Sequence, residues 1–86
     1  MGVSMVQLRL KRLAEKELRK LPRKEQEKVI RKLHELELMP LAGKPLRGEY
    51  QGYYTFRAWP YRIIYKFEHD TGIWVYVIEH RQSVYK

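Results

Sequence analysis

Residues 53–80 read YYTFRAWPYRIIYKFEHDTGIWVYVIEH, and they decide the fold. The stretch contains three runs rich in aromatic and β-branched residues, which predict strands at about 52–58, 61–68 and 73–79. Pro60 separates the first two runs, and the HDTG segment at 69–72 supplies the turn chemistry of a tight hairpin. The third run is apolar at successive positions, so we expect other parts of the protein to cover both of its faces. We therefore expect it to be a central or curved strand of a sheet.

The N-terminal half begins with an alternating pattern and then changes to a helical one. MVQLRLKR (5–12) alternates apolar and polar residues, which predicts a half-buried strand. Two apolar stripes of helical period follow, formed by Leu13, Ala14, Leu18 and Leu21 and then by Val29, Ile30, Leu33 and Leu36, through about Leu38. Pro22 lies between the stripes, where it ends one helix or opens the next. We expect two helices packed as an antiparallel pair.

The predicted fold is a small single α+β domain spanning 1–86, with the order β-α-α-β-β-β. Between the helices and the strands, MPLAGKPLRGEYQG (39–52) is rich in proline and glycine and is expected to lack regular structure. The sheet should be twisted and mainly antiparallel, with the two-helix hairpin on one face. Its other face would be open and concave, carrying arginines and aromatic residues.

Composition favours an anionic partner. Lysine and arginine number 18 against 10 acidic residues, which gives a net charge of +8. In the helical segments charges of both signs interleave, as on an ordinary solvated surface. In 51–86 charged residues are few, and three arginines stand out there, Arg57, Arg62 and Arg81. Strand propensity does not explain them, because arginine is not among the residues that strands favour. Binding of an anion would explain them, and a structural role is the alternative, above all for Arg57.

Several classes of protein are not expected from the composition. The chain has no cysteine, and its three histidines are scattered without acidic residues at ligand spacing, so we expect no disulfide, metal or cofactor. His34 and His69 are interpreted as helix-surface and turn residues. No apolar run is long enough for a signal peptide or a membrane span, which predicts a cytoplasmic protein without membrane contact.

Three strings, read in order, resemble the RelE/ParE superfamily of toxins from type II toxin–antitoxin modules. They are LRKLPRKEQEKVIRKLHEL at 18–36, GKPLRGEYQGYYTFRAWPYRIIY at 43–65 and EHRQSVY at 79–85. The most specific parts are an arginine ahead of a YRIIY-type strand and a terminal HR…VY element. The resemblance extends from Gln7 to Tyr85.

The resemblance implies a toxin neutralised by a tightly bound antitoxin, which we expect to be acidic and to wrap the toxin with a helical or extended segment. Toxin–antitoxin heterotetramers are one possible assembly. RelE-type toxins act on the ribosome and cut messenger RNA in the A site without a metal, by attack of a ribose 2′-hydroxyl on the adjacent phosphate. ParE-type toxins share the fold but poison DNA gyrase. A weakened relative that only binds antitoxin or RNA is a third alternative, and fold does not decide among them.

The resemblance also suggests roles for individual residues if the chain cuts RNA. Arg62 matches the strand arginine and is our first choice to stabilise phosphate charge, because a guanidinium fork fits phosphate oxygens. Arg81 matches a second family arginine. Tyr85 and His80 are the candidates for proton transfer, since imidazole titrates near neutrality and nearby cations would make the phenol a better base. Arg57 supports the sheet through a cation–π or ionic contact, or binds RNA.

The chain also departs from the pattern of strongly cleaving RelE toxins. In an ungapped alignment Tyr53 and Thr55 stand where those toxins carry lysines, and Trp59-Pro60 stands where a Gly-Asp pair is common. Lost lysines remove charge that neutralises phosphate. The residues predicted to compensate by binding RNA are Lys44, Arg47 and Lys66, with Tyr53 available to stack on a base.

Overall fold

The computed structural model describes residues 6–81 and forms a five-stranded sheet with two helices. The elements are β1 (Leu8–Leu10), α1 (Arg12–Lys20), α2 (Arg23–Leu38), β2 (Lys44–Pro45), β3 (Tyr54–Ala58), β4 (Tyr61–Glu68) and β5 (Gly72–His80). Pro22 lies between the helices, just before the first residue of α2. The side-chain amide of Gln26 donates to the carbonyls of Arg19 and Leu21, 3.2 and 2.9 Å away, and so ties this junction together. The predicted α+β class is confirmed.

The strand order across the sheet is β1-β5-β4-β3-β2. β1 runs parallel to β5, and every other neighbouring pair is antiparallel. β5 lies between β1 and β4, which confirms the prediction of a central strand. The register between β4 and β5 shifts once, since Ile64 pairs with Val77 but Tyr65 pairs with Val75. Tyr76 is therefore an extra residue in a β-bulge, and the residues beyond it change faces relative to a regular strand.

The core lies between the helices and one face of the sheet. Its buried residues are Ala14, Val29, Leu33 and Leu36 from the helices, and Ala58, Ile63, Tyr65, Ile73, Val75 and Ile78 from the strands. All of these strand residues share the helix-side face once the bulge is taken into account. The opposite face of the sheet is covered by no described helix, as the sequence predicted.

The segment predicted to lack regular structure contains two short elements. Lys44–Pro45 pairs with β3 as the edge strand β2, and Gly48–Tyr50 forms a single 3₁₀ turn. This part of the sequence prediction was wrong. Two residues opposite Tyr54 and Thr55 are too few to produce a visible alternation, and proline is tolerated there because an edge strand needs fewer ladder donors.

Buried Tyr65 holds the start of this segment against the sheet. Its hydroxyl donates to the Pro40 carbonyl at 2.7 Å and accepts from the Gly43 amide at 3.0 Å. A Cβ added at Gly43 would lie only 2.6 Å from that hydroxyl, so the close approach requires glycine. The loop after α2 is thereby fixed beside β3.

The hairpin turn between β4 and β5 is confirmed at residues 69–71. Gly72 follows it with φ of +93°, a conformation that side-chain-bearing residues avoid, and a Cβ there would collide with the Gln7 carbonyl. That carbonyl accepts from the Ile73 amide at 2.8 Å and starts the parallel pairing of β1 with β5. Farther along the same edge, the Glu17 carboxylate of α1 accepts from the Ile78 amide at 2.8 Å. No helix among residues 6–81 is long and apolar enough to cross a membrane.

Candidate functional site

The three arginines singled out in the sequence meet at one end of the open sheet. Arg57 of β3 pairs directly with Arg62 of β4 in the antiparallel register, so the two side chains share the open face. They line a cleft of about 190 Å³ together with Trp59, Pro60, Tyr61 and Arg81. The structure therefore brings Arg81 together with Arg57 and Arg62, although Arg81 follows them by about twenty residues in the sequence.

Arg81 closes the cleft from the end of β5. Its backbone amide donates to the Pro60 carbonyl at 2.9 Å, which fixes this residue beside the turn between β3 and β4. Its guanidinium lies 4.7 Å from the centre of the Trp59 ring, a cation–π distance. Trp59 follows β3, precedes a cis peptide bond to Pro60, and is 59% exposed. The exposed Trp59 ring thus lies beside the arginines.

The arginines of this cleft form no ion pair. None of the residues that line it is acidic, and among residues 6–81 none of its arginines has a carboxylate within ion-pair distance. Like charges directly opposite each other in a sheet are destabilising, whereas favourable cross-strand pairs contribute roughly 0.2–1 kcal/mol. A bound anion would remove that repulsion, and guanidinium forks suit phosphate oxygens in particular.

Glu79 is the acidic residue that the sequence analysis missed. The β4–β5 register puts it directly across from Arg62 on the open face. Burial raises the pKa of the Glu79 carboxyl, Arg62 opposes this effect, and the nearby Glu17 carboxylate adds to it. A raised pKa lies closer to neutral pH, where a carboxyl both accepts and releases protons more readily. Glu79 is therefore a titratable group next to the arginine that we expect to bind phosphate.

His80 does not join the arginine cleft. It pairs with Tyr61 in the register and lies on the helix-side face, where the two rings make an edge-to-face contact with centroids 5.3 Å apart. Burial and the negative charge of Glu25 raise the pKa of the Tyr61 hydroxyl, so this phenol holds its proton more tightly than a free tyrosine does. Tyr85, the other predicted proton carrier, lies outside the described residues.

The predicted RNA-binding residues fall into separate places. Lys44 shares a second cavity, of about 400 Å³, with Arg57 and Arg62. Arg47 and Tyr53 line a different depression of about 430 Å³. Lys66 lies over the Tyr53 ring, with its ammonium 4.7 Å from the ring centre. Lys44 therefore adds positive charge beside the arginines, whereas the other three residues lie apart from the cleft.

Thr55 and the histidines have specific surroundings. Thr55 lines the Lys44 cavity, and its hydroxyl is buried without a hydrogen-bond partner among residues 6–81. His34 contacts Glu37 at 2.8 Å on the surface of α2, and His69 packs against Phe67 at the hairpin turn. Within the described part of the chain no group of three His, Cys, Asp or Glu side chains is placed to hold a metal ion.

Solved structures with the same fold are toxins of toxin–antitoxin modules. The structure of the RelBE2 toxin–antitoxin complex from Mycobacterium tuberculosis contains a chain with 29% identity and a TM-score of 0.83, covering 90% of this chain and 99% of that one. The isolated RelE toxin of Escherichia coli has 26% identity and a TM-score of 0.74, covering 87% and 83%. An archaeal RelE–RelB complex from Pyrococcus horikoshii shares the fold at 19% identity and a TM-score of 0.72, covering 90% and 96%.

The fold and the arginine-lined open sheet thus define a toxin of the RelE/ParE class. A family model described as the ParE toxin of the type II toxin–antitoxin system parDE matches residues 8–85. The chain therefore belongs to this toxin family, within the RelE/ParE superfamily, and is a toxin of a type II toxin–antitoxin module. No curated protein sequence matches it.

Proposed function

We propose that this toxin is a ribosome-dependent messenger RNA endonuclease of the RelE kind. The observation that carries the proposal is the convergence of Arg57, Arg62 and Arg81 on one cleft that has no acidic residue in its lining. Three guanidinium groups around a space of about 190 Å³ suit a phosphodiester whose negative charge increases in the transition state. Lys44 adds a fourth cation beside Arg57 and Arg62.

The proposed reaction is an internal transesterification. The ribose 2′-oxygen attacks the adjacent phosphorus, so the O2′–P bond forms and the P–O5′ bond breaks. The products are a 2′,3′-cyclic phosphate and a 5′-hydroxyl. The 2′-proton goes to a base, the departing 5′-oxygen takes a proton from an acid, and no oxidant or reductant is consumed. The arginines hold the phosphorane oxygens and stabilise their charge.

Proton transfer requires a group that the arginines cannot supply, because a guanidinium does not lose its proton in proteins. Glu79 is our proposal for the acceptor of the 2′-proton, since it is the carboxylate across from Arg62 and its pKa is raised by burial. Tyr85 stays a prediction for the donor to the 5′-oxygen. His80 contacts Tyr61 on the other face, which favours a positioning role for this histidine.

The partner that we propose is a cognate antitoxin with an acidic segment, acting with the toxin in the cytoplasm. Complexes of RelE-type toxins with RelB antitoxins from Escherichia coli and Mycobacterium tuberculosis have toxin chains 29% identical to this one, which supports the proposal. The net charge of +8 favours an acidic partner. Tyr50 and Trp59, 57% and 59% exposed, offer large aromatic surfaces for it to cover.

The test is primer extension on messenger RNA held in programmed ribosomes. The parent chain, Arg62→Ala and Arg31→Ala are compared; Arg31 is an exposed arginine of α2, so its variant has the same net charge as Arg62→Ala. We expect A-site cleavage by the parent and by Arg31→Ala, and little by Arg62→Ala. Equal cleavage by all three would refute the role of Arg62, and no cleavage by the folded parent would refute the endonuclease.

Gyrase poisoning is the second candidate, because the family model that matches the chain is named for ParE. It predicts no RNA cleavage and a loss of negative supercoiling of plasmid DNA when the toxin is expressed without an antitoxin. A folded chain that leaves both messenger RNA and supercoiling unchanged would instead be a relative that retains only binding.

A further inference from the structure

A second group of cations and aromatic rings crosses the open face of the sheet at a distance from the arginine cleft. Its members form a chain of contacts and lie on, or next to, β1, β5, β4 and β3. We call this group the cation–aromatic stripe, and its residues are Arg9, Lys11, Trp74, Tyr76, Tyr53 and Lys66.

The contacts of the stripe are close and continuous. The Arg9 guanidinium and the Lys11 ammonium lie 5.2 and 4.5 Å from the centre of the Trp74 ring. Lys11 also lies 5.3 Å from the Tyr76 ring, which meets the Tyr53 ring edge to face at 5.1 Å. The bulge that makes Tyr76 an extra residue of β5 is what lets its ring join the open face.

The cations of the stripe have no acidic partner. Among residues 6–81, no carboxylate lies within ion-pair distance of Arg9, Lys11 or Lys66. Aromatic faces hold these cations in position without neutralising them. The stripe therefore keeps three positive charges available beside three aromatic rings, which is the combination that binds single-stranded nucleic acid through phosphates and stacked bases.

The stripe and the cleft lie on one continuous surface. Arg62 and Lys66 belong to the same face of β4 and are four residues apart, so about 13 Å separates their positions at ~3.3 Å per residue. That distance corresponds to about four nucleotides stacked at ~3.4 Å each. Between them, Ile64 and its pair Val77 cover the open face, and neither is charged.

We propose that an RNA strand with its reacting phosphate in the arginine cleft continues across the open face and binds the cation–aromatic stripe a few nucleotides away. This inference rests on the proposed endonuclease function and adds the path of the substrate. An acidic protein segment would use the cations but has no equivalent need for the three half-buried aromatic rings beside them. The stripe thus sets the length of RNA that the toxin binds.

The two tryptophans of the chain allow the cleft and the stripe to be observed separately. Trp59 lies in the cleft and Trp74 in the stripe, and the sequence has no other tryptophan. Trp59→Phe leaves Trp74 as the only indole reporter, and Trp74→Phe leaves Trp59. The probe is a single-stranded RNA hexamer, 2′-O-methylated so that it cannot be cleaved, compared with the corresponding dinucleotide. We expect the hexamer to quench both reporters and the dinucleotide to quench Trp59 alone.

Charge variants test the phosphate contacts of the stripe. Lys11→Gln/Lys66→Gln should weaken hexamer binding severalfold and reduce the slope of log affinity against log salt by about 1.4, at ~0.7 per lost contact on a single strand. Lys20→Gln/Lys24→Gln, which removes the same charge from exposed helical positions, is the matched control and should leave the slope unchanged.

Each outcome decides the inference. Quenching of Trp59 by the hexamer with no response of Trp74 would overturn it, as would equal salt slopes for the two double variants. Quenching of Trp74 by a poly-glutamate peptide, but not by RNA, would assign the stripe to a protein partner instead. Binding across both reporters without cleavage of unmodified messenger RNA on ribosomes would refute the proposed enzyme function and leave the RNA path intact.

Discussion

Replacing Glu79 with glutamine tests the proton-transfer step, because the change keeps the size of the side chain but removes its ability to titrate together with its negative charge. Glu79 lies across from Arg62, and its carboxyl pKa is raised by burial. If it accepts the 2′-proton, glutamine cannot replace it. General base catalysis contributes ~10²–10⁴-fold, so we expect single-turnover cleavage by Glu79→Gln to slow by that factor.

The pH dependence separates this role from a purely structural one. A base must be deprotonated to act, so the parent's rate should fall as pH drops through the raised pKa of Glu79, and the residual rate of Glu79→Gln should lack this limb. Stability should move the other way. A carboxyl with a raised pKa in the folded state binds more protons than in the unfolded state, so the parent gains stability as pH falls through that pKa toward the ordinary value, and the variant does not.

The assay is single-turnover cleavage on programmed ribosomes between about pH 5 and 9, with melting temperatures measured over the same range. Glu68→Gln is the matched control, since Glu68 is an exposed glutamate at the other end of β4. A variant that keeps the acidic limb, or that cleaves within about threefold of the parent, would refute Glu79 as the base.

Three further changes test the cleft and the fold. Arg62→Lys should keep the charge but lose the bidentate fork, lowering cleavage at least ~10-fold while the melting temperature stays constant. Tyr65→Phe leaves the Gly43 amide and the Pro40 carbonyl without their hydrogen-bond partner. Chemical denaturation should then show a free energy of unfolding lower by ~1–3 kcal/mol, and an unchanged midpoint would contradict the role of this hydroxyl. Gly72→Ala forces a side chain into a positive-φ position against the Gln7 carbonyl. It should lower the free energy of unfolding by about 2 kcal/mol, which calorimetry would record as a melting temperature lower by roughly 10 °C.

The strands and helices were predictable because their patterns are long and strong. The run at 61–68 was predicted with the bounds that β4 has, and the HDTG turn and the helix junction at Pro22 also lie where expected. The parallel pairing of β1 with β5 was not predicted, because it depends on the close approach of Gly72 to Gln7 rather than on any local pattern. β2 was missed because two residues carry no periodicity.

The candidate site was predictable in its cations but not in its titratable groups. Arg57 and Arg62 share a face because β3 and β4 pair in a regular antiparallel register. The alternation of side chains along the two strands is enough to suggest this arrangement. Beyond Tyr76, alternation fails. In a regular β5, Glu79 would share the helix-side face with Val75, and His80 would face the arginines; the bulge exchanges them. A one-residue irregularity thus changes which titratable side chain shares the open face with the arginines, and the sequence contains no signal that marks it.

The same open face explains why the toxin should depend on its partner for stability as well as for neutralisation. Arg57 and Arg62 face each other directly, and although Glu79 faces Arg62 from β5, no described carboxylate lies within ion-pair distance of either arginine. The remaining repulsion opposes folding by at most about 1 kcal/mol. A domain of this length buries only about 60% of its unfolded surface, so a cost of this size is a meaningful share of its net stability. A polyanion that binds the assembled cleft more tightly than it binds the unfolded chain stabilises the folded state by mass action. Antitoxin and RNA would then compete for one surface, and the partner that covers the arginines would also determine how much folded toxin persists.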